Sequence, residues 1–269
     1  MADDLSAPLI EAAVGGRFGI PVRYFDEVGS TNSEAMDWAA QGAPEGSVVV
    51  ADHQTGGRGR WGRAWFSAPG KLLQFSLILR PHVDPSRHGL ITAGLGVATA
   101  RALRALTDLP VVVKWPNDAV VGERKLAGML VESTMSGSKI DAAICGIGLN
   151  VHLDDDDIPD ELRQRATSLA IEIDRTGSGQ VPGRAVLLAR ILQEIEDRYA
   201  AMTTDASSLL AEASELSAVL GRDVVVRAAD GSTIEGRAEG FDDDGGLRLI
   251  VDGRATSIHV GEIEQLRTS

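Results

Sequence analysis

The chain has 269 residues, 43% of them hydrophobic and 24% charged, as expected for one large or two unequal globular domains. A formal net charge of -13 argues against a nucleic-acid-binding surface as the main function. The single cysteine, Cys145, excludes an internal disulfide and a cysteine-rich zinc site, and no uncharged apolar run approaches the ~20 residues that span a bilayer.

The start, Met1-Ala2-Asp3-Asp4, is acidic and lacks a following apolar core, so a cytoplasmic protein without a secretory signal is expected. Leu9, Ile10, Ala13 and Val14 suggest a short helix. Arg23-Tyr24-Phe25 reads as a strand, and a helix-like Ala35-Met36-Asp37-Trp38-Ala39-Ala40 follows Ser30-Thr31-Asn32. Thr31 and Glu34 have capping-box spacing, so a plain helix start is one reading of Ser30-Thr31-Asn32. The other is a set of hydroxyls and an amide held out to a polar ligand.

Ser47-Val48-Val49-Val50-Ala51 reads as a strand, followed by a polar turn, Asp52-His53-Gln54-Thr55. Next comes Gly56-Gly57-Arg58-Gly59-Arg60-Trp61-Gly62-Arg63-Ala64-Trp65. Each glycine disfavours helix by ~1 kcal/mol relative to alanine and lets backbone approach a ligand closely. Arginines on such a loop suit a carboxylate or a phosphate; the plain alternative is a mobile basic loop. Residues 72–79 form a mostly buried strand, and Asp84-Pro85-Ser86 starts a helix carrying Leu90, Ile91, Leu95, Ala98, Ala102 and Leu106. Residues 111–121 read as strand, turn and strand around Pro116-Asn117-Asp118. Residues 123–128 read as a second turn before the strand Met129-Leu130-Val131-Glu132. Residues 139–150 contain a long apolar strand in which Cys145 is expected to be a buried, inert thiol.

Asp154-Asp155-Asp156-Asp157 reads as solvated loop, since its spacing matches no calcium loop. A connector at residues 177–183 leads to an amphipathic helix over 185–202 and a second over 207–220, with Gly221 placed to cap it. Beyond Gly221 the chain turns to short strands at 224–227, 232–236, 246–251 and 255–258, joined by Ala229-Asp230-Gly231, Asp243-Asp244-Gly245 and Asp252-Gly253. Asp-Gly turns between strands signal hairpins. The expected organisation is a large domain over 1–220 and a small β-barrel over 221–269, too small for an active site of its own.

Gly57-Arg58-Gly59-Arg60-Trp61-Gly62 formally matches the dinucleotide fingerprint, but arginines and tryptophans follow it instead of an apolar helix. A phosphate-binding P-loop and a G-x-S-x-G nucleophile elbow are absent from the sequence. What remains is a set of polar and cationic turns: Ser30-Thr31-Asn32, Gln54-Thr55, the Gly/Arg loop, Lys114-Trp115-Pro116-Asn117-Asp118, Lys125-Leu126-Ala127-Gly128 and Gly146-Ile147-Gly148-Leu149-Asn150.

In this order and spacing the set resembles the biotin–protein ligases (holocarboxylase synthetases), over essentially the whole chain. The resemblance implies an α+β fold: a mixed, largely antiparallel sheet flanked by helices, akin to class II aminoacyl-tRNA synthetases, with a C-terminal SH3-like β-barrel. The family's bifunctional members carry an N-terminal DNA-binding domain; the short stretch before the first motif leaves no room for one, so the monofunctional form is expected. Ser30, Thr31, Asn32, Gln54, Arg58, Gly59, Arg60 and Lys125 match the biotin-binding set. Ser30, Thr31 and Gln54 would meet the ureido ring; Arg58, Arg60 and Lys125 would meet the carboxylate and the phosphate added to it. Trp65 would pack beside the ligand, on the nucleotide side with Asn117 and Asn150. Arg60, Lys114, Asp118 and Lys125 would carry catalysis, with ATP and Mg²⁺ and no assigned metal ligand. The Gly/Arg loop would be disordered when empty and close over the adenylate.

The activity so implied makes biotinyl-5′-adenylate and pyrophosphate, then moves biotin to a lysine of a biotin carboxyl carrier domain of a carboxylase such as acetyl-CoA carboxylase. DNA and membrane partners are not expected, and a homodimer is left open. Lipoate–protein ligase and a non-catalytic biotin-binding regulator are the alternatives. The chain lacks the different glycine-rich motif of the former, and its intact Lys114, Asp118 and Lys125 disfavour the latter.

Overall fold

The computed structural model describes residues 4–228 and 230–267. The Met1-Ala2-Asp3 start and Ala229 of the predicted Ala229-Asp230-Gly231 turn lie outside the described residues. Seven strands make the main sheet: β1 (Val22–Val28), β2 (Val48–Gln54), β3 (Leu72–Leu79), β4 (Val112–Lys114), β5 (Asp118–Val121), β6 (Arg124–Ser136) and β7 (Lys139–Asn150). Their order is β1-β2-β3-β7-β6-β5-β4. Only β1 and β2 run parallel; the other neighbours are antiparallel. This is the mixed, largely antiparallel sheet that the resemblance implies.

Strand periodicity divides the work of the two faces. Leu73, Phe75, Leu77 and Leu79 of β3 join Cys145, Ile147 and Leu149 of β7 in the main core. That core is closed by α1 (Ala7–Ala13), α3 (His88–Thr107), α5 (Arg184–Thr203) and α6 (Ser207–Glu215). On the other face, Ile78 and Ile144 pack under Ala35 and Ala39 of α2 (Thr31–Ala40). Further along that same face the apolar residues give way. Gln74 lies opposite Gly148, and Ser76 opposite Gly146; Gly128 and Leu130 of β6 continue these rows. Small and polar residues there leave a trough beside the start of α2. Cys145 is fully buried in the core, where desolvation pushes its thiol pKa well up, as an inert thiol requires.

Several local expectations change. Ser30, not Thr31, caps α2, and it makes no side-chain capping bond; the Thr31 hydroxyl turns to Gln54 instead. The expected turn at 123–128 is mostly strand, because β6 begins at Arg124 and pairs with β5. The helix expected to reach 220 stops at Glu215. There Val113 N–H donates to Leu216 O and Ala218 N–H to Val113 O, so residues 216–218 extend the sheet edge and Gly221 caps no helix. A helix absent from the sequence reading, α4 (Leu169–Thr176), is capped by the Ser168 hydroxyl accepting from Ile171 N–H. Asp84 accepts from Ser86 N–H over one 3₁₀ turn before α3 begins.

The C-terminal strands are β8 (Asp223–Arg227), β9 (Thr233–Phe241), β10 (Leu247–Val251), β11 (Arg254–Ile258) and β12 (Glu262–Arg267), in the antiparallel order β11-β10-β9-β8-β12. β12 escaped the sequence reading. Among the described residues β11 and β12 are not paired with each other, so the expected barrel is open, though its order is consistent with an SH3-like unit. It has its own core of Val224, Val226, Leu247 and Leu249, into which Trp115 of the β4–β5 turn inserts. Trp115 Nε1 donates to Gly245 O at 3.3 Å, which fixes the small sheet beside the turn that carries Asn117 and Asp118.

The N-terminal segment is tied down by charge. Buried Arg184 reaches Asp4 at 2.5 Å and Asp52 at 2.6 Å. Burial alone would raise the Asp4 carboxyl, but the Arg184 backbone N–H and guanidinium, with His152, outweigh it and hold its pKa below the ordinary value. A carboxylate depressed in the folded state stabilises above its unfolded pKa, and that stability is lost as pH falls through the folded pKa. Unfolding monitored from pH 7 to below about 4 should therefore show Asp4→Asn losing less stability on acidification than the wild type. Parallel curves would remove Asp4 from this account.

Candidate active site

The trough opens into a cavity of about 920 Å³, a size suited to a small organic ligand. Ser30, Thr31, Asn32 and Gln54 line it, as do Arg58, Gly59, Arg60 and Trp65. So do Lys114, Asn117, Asp118, Lys125 and Asn150. The candidate biotin-binding, nucleotide-side and catalytic residues thus meet in one place, although they are up to 120 positions apart in the chain (Asn150 against Ser30); Thr55 and Trp115 of the same turns do not line it.

The floor is a hydrogen-bonded chain. Thr31 N–H donates to Gln54 Oε1 at 2.8 Å, and Gln54 Nε2 donates to Gln74 Oε1 at 2.9 Å. Gln74 Nε2 donates to Ser67 Oγ at 2.9 Å. Ser76 Oγ sits 2.8 Å from Thr31 Oγ1 and 2.6 Å from Asn32 Oδ1. Gln74 and Ser76 are fully buried, so their polar atoms need these partners. Side chains thus held in one orientation can read a ligand's donors and acceptors.

One wall is set by glycines. A Cβ on Gly148 would come within 2.5 Å of the Trp65 ring, and one on Gly146 would collide with the Asn32 amide. Both side chains therefore lie flat against β7 because the strand has no side chains there. The spacing Gly146-Ile147-Gly148 puts both glycines on the trough face and Ile147 in the core.

Lys125 lies along the same wall, over Gly128, the cross-strand neighbour of Gly148. Lys125 Nζ stands 2.6 Å from Asp118 Oδ1 and 5.2 Å from the Trp65 ring centroid. Lys125 itself is clamped through its backbone: its N–H donates to Arg165 O and its C=O accepts from Thr167 N–H. Asn150 Nδ2 donates to Thr167 O at 2.8 Å, and Asn117 Nδ2 to Met129 O at 2.7 Å, so both amides brace backbone around Lys125. The Gly/Arg loop folds as a narrow hairpin with an Arg58–Ala64 bridge and a 3₁₀ turn over Arg60–Gly62. Trp61 at its tip has φ 58°, a conformation uncommon for a residue with a side chain.

The loop rests on the small sheet. Arg60 Nη1 donates to Gly261 O at 2.7 Å, and Arg63 makes a two-pronged pair with Glu262 at 3.0 and 2.8 Å. Burial lowers the Arg60 pKa against the raising influence of Glu262 and Asp118, and arginine stays charged regardless. Arg227, Glu262 and Glu264 of β8 and β12 join the cavity lining. The sequence reading did not include these residues, nor Gln74, Ser76 and Glu132. The available signal was a polar residue inside an apolar strand, as at Gln74 and Ser76. The Arg63–Glu262 side chains are 56% and 32% exposed, and such pairs contribute ~0.2–1 kcal/mol. Glu262→Ala should therefore weaken retention of a bound ligand at most about fivefold, with the loss disappearing in high salt; a larger, salt-insensitive loss would contradict this. The acidic loop at 154–157 is partly engaged, with Lys71 paired to Asp157 at 2.6 Å and Asp154 at 3.4 Å.

Comparison with known proteins gives this geometry its family. The sequence model of the biotin/lipoate A/B protein ligase family matches residues 24–150. The bifunctional ligase/repressor BirA of Bacillus spizizenii is 36% identical over 90% of this chain and 73% of its own length. The biotin–[acetyl-CoA-carboxylase] ligase of Mycobacterium tuberculosis is 32% identical over 98% of both. The chain belongs to the biotin/lipoate A/B protein ligase family. Among solved structures of ligases of this kind, biotin protein ligase from Aquifex aeolicus in complex with biotin and ATP superposes with TM-score 0.76. It is 30% identical and covers 92% of this chain and 99% of its own. Within the family chain described here, no group of three His, Cys, Asp or Glu side chains among the described residues is arranged for a metal ion. No helix among them is long and apolar enough to cross a membrane.

Proposed function

We propose that this chain is an ATP-dependent biotin–protein ligase acting in the cytoplasm, with a catalytic unit over 1–220 and a supporting β-unit over 221–269. The meeting of an ordered amide-and-hydroxyl floor with a ring of cations in one cavity carries the reading. Ser30, Thr31, Asn32 and Gln54 hold the neutral, hydrogen-bonding ureido ring. Arg58, Gly59, Arg60 and Lys125 hold the carboxylate. Trp65, Asn117 and Asn150 bound the nucleotide side, and Lys114 faces the triphosphate.

In the first step a biotin carboxylate oxygen bonds to the α-phosphorus of ATP, and the bond to the pyrophosphate oxygen breaks with its electron pair. Two anions must meet, so Arg60, Lys114 and Lys125 offset their repulsion and the charge that develops. Mg²⁺ prefers oxygen ligands and keeps waters and substrate phosphates. Entering with the nucleotide, the ion would supply further charge neutralisation. In the second step a carrier-domain lysine amine attacks the acyl carbon and AMP leaves. Once phosphate competes for Lys125, Asp118 is released to orient that amine and accept its proton. The loop held on the small sheet shields the mixed anhydride from water.

Calorimetric titration tests the reading. Biotin should bind to the purified chain and lipoate should not, and addition of ATP with a biotin carboxyl carrier domain should label that domain on lysine. Binding of lipoate in preference to biotin, or biotin binding with no turnover of ATP, would overturn it.

A further inference from the structure

The sequence analysis gave Glu132 no role, and it does not line the cavity; it stands on β6 one step behind the lining. Its carboxylate makes two sets of contacts. Oε2 accepts from Asn32 Nδ2 at 2.7 Å, and both oxygens accept from Arg58 Nη2 at 3.3 and 3.4 Å. The second N–H of Asn32 goes to Leu130 O at 3.3 Å. Both donors of the Asn32 amide thus face acceptors that cannot donate, so its oxygen must point the other way, at Ser76 Oγ. A carboxylate fixes this more firmly than a neutral partner, because charge-assisted bonds are the stronger ones.

The orientation propagates. Ser76 has one proton, and Asn32 Oδ1 at 2.6 Å can only accept it. Ser76 therefore cannot donate to Thr31 as well. The Thr31 proton is then taken up by Ser76 Oγ at 2.8 Å or by Gln54 Oε1 at 3.2 Å, both of which have lone pairs to receive it. In either arrangement the Thr31 hydroxyl, which lines the cavity, shows a ligand lone pairs and no proton. If the Asn32 amide were reversed, its NH₂ would donate to Ser76 and Ser76 would donate to Thr31, which leaves the Thr31 proton only Gln54 Oε1 at 3.2 Å, already accepting Thr31 N–H at 2.8 Å, or a ligand in the cavity. Gly146 permits the relay, since a side chain there would displace the Asn32 amide.

We propose that Glu132 is a positioning residue that sets the hydrogen-bond polarity of the ligand cavity through Asn32, Ser76 and Thr31, so that the site presents an acceptor to a ring N–H. The inference rests on the proposed reading of the ligand as biotin, a cyclic urea with two such N–H groups. The same carboxylate holds Arg58, a residue of the cavity lining whose Nη1 also donates to Ser33 Oγ at 3.0 Å. Glu132 thereby orders a neutral recognition group and a cation with one charge.

The test is selectivity. Biotin would be compared by calorimetry with the two cyclic carbamate analogues in which one or the other ring N–H is replaced by oxygen, a neutral change that turns a donor into an acceptor. The wild type should reject the carbamate that places oxygen at Thr31. Glu132→Met, which cannot accept a hydrogen bond, should shrink that discrimination by about tenfold, the scale expected when a buried hydrogen bond no longer has an imposed direction. Ser76→Ala cuts the same relay with little change in volume, so it keeps the test available if Glu132→Met does not fold. It should relax selectivity similarly, and the double variant should relax it no further. Equal weakening for biotin and both carbamates, or additive effects of the two substitutions, would reduce Glu132 to a structural role and overturn the proposal. A wild type that binds no biotin would instead overturn the functional reading on which it rests.

Discussion

Lys125→Ala is expected to lower biotin-dependent exchange of pyrophosphate into ATP by about 10²-fold or more while the protein stays folded. The side chain reaches the cavity with its ammonium 2.6 Å from Asp118 Oδ1 and over the Trp65 ring. Lys125 is anchored by its backbone to Arg165 and Thr167, so the local chain path does not depend on its side chain. Its removal leaves Asp118 without its cation, yet the Lys125 and Asp118 side chains are 34% and 22% exposed, so water can compensate in part. The loss should therefore fall on the step in which charge develops, and show as reduced kcat with a smaller change in the apparent affinity for biotin. Measured exchange rates near the wild-type value would remove Lys125 from catalysis.

Arg60→Gly is expected to raise the release of free biotinyl-adenylate by about tenfold or more. Arg60 holds the loop at its tip, with a 2.7 Å bond to Gly261 O and its guanidinium 5.1 Å from the Trp61 ring centroid. Glycine removes a charge-assisted bond, worth ~1.5–3 kcal/mol. It also adds backbone freedom where the loop must be ordered. Arg63 and Glu262 keep a weaker hold, so the loop would close less often rather than never. Chromatography of the reaction without a carrier acceptor would measure the released adenylate. A leak no greater than that of the wild type would mean that the loop's hold on the small sheet does not retain the intermediate.

Much of the site was legible because its residues cluster in short motifs whose chemistry is unusual for their position. Two glycines spaced one residue apart in an apolar strand, at 146 and 148, signal a surface that something else must approach. Lys114, Asp118 and Lys125 stand at strand ends, where side chains can reach a shared opening. The resemblance then joined motifs that periodicity alone could not bring together. Other features depend on tertiary pairing. Residues 216–218 have helical company in sequence but are taken by the β4 edge, and β6 starts early because β5 offers it partners. Glu262 looks like an ordinary surface acid in the sequence; only the docking of the small sheet places it beside Arg63. Glu132 closes an apolar run, and its contact with Asn32, 100 positions earlier, could not be inferred from either neighbourhood.

The most direct measurement of the central claim is pyrophosphate release from ATP by the purified chain, with and without biotin and with lipoate as control. The proposed function, in which amides and hydroxyls would read the ureido ring and cations would face the phosphates, predicts release that requires biotin, saturates with it and is not supported by lipoate. Release that is indifferent to biotin, or driven by lipoate instead, would contradict the account.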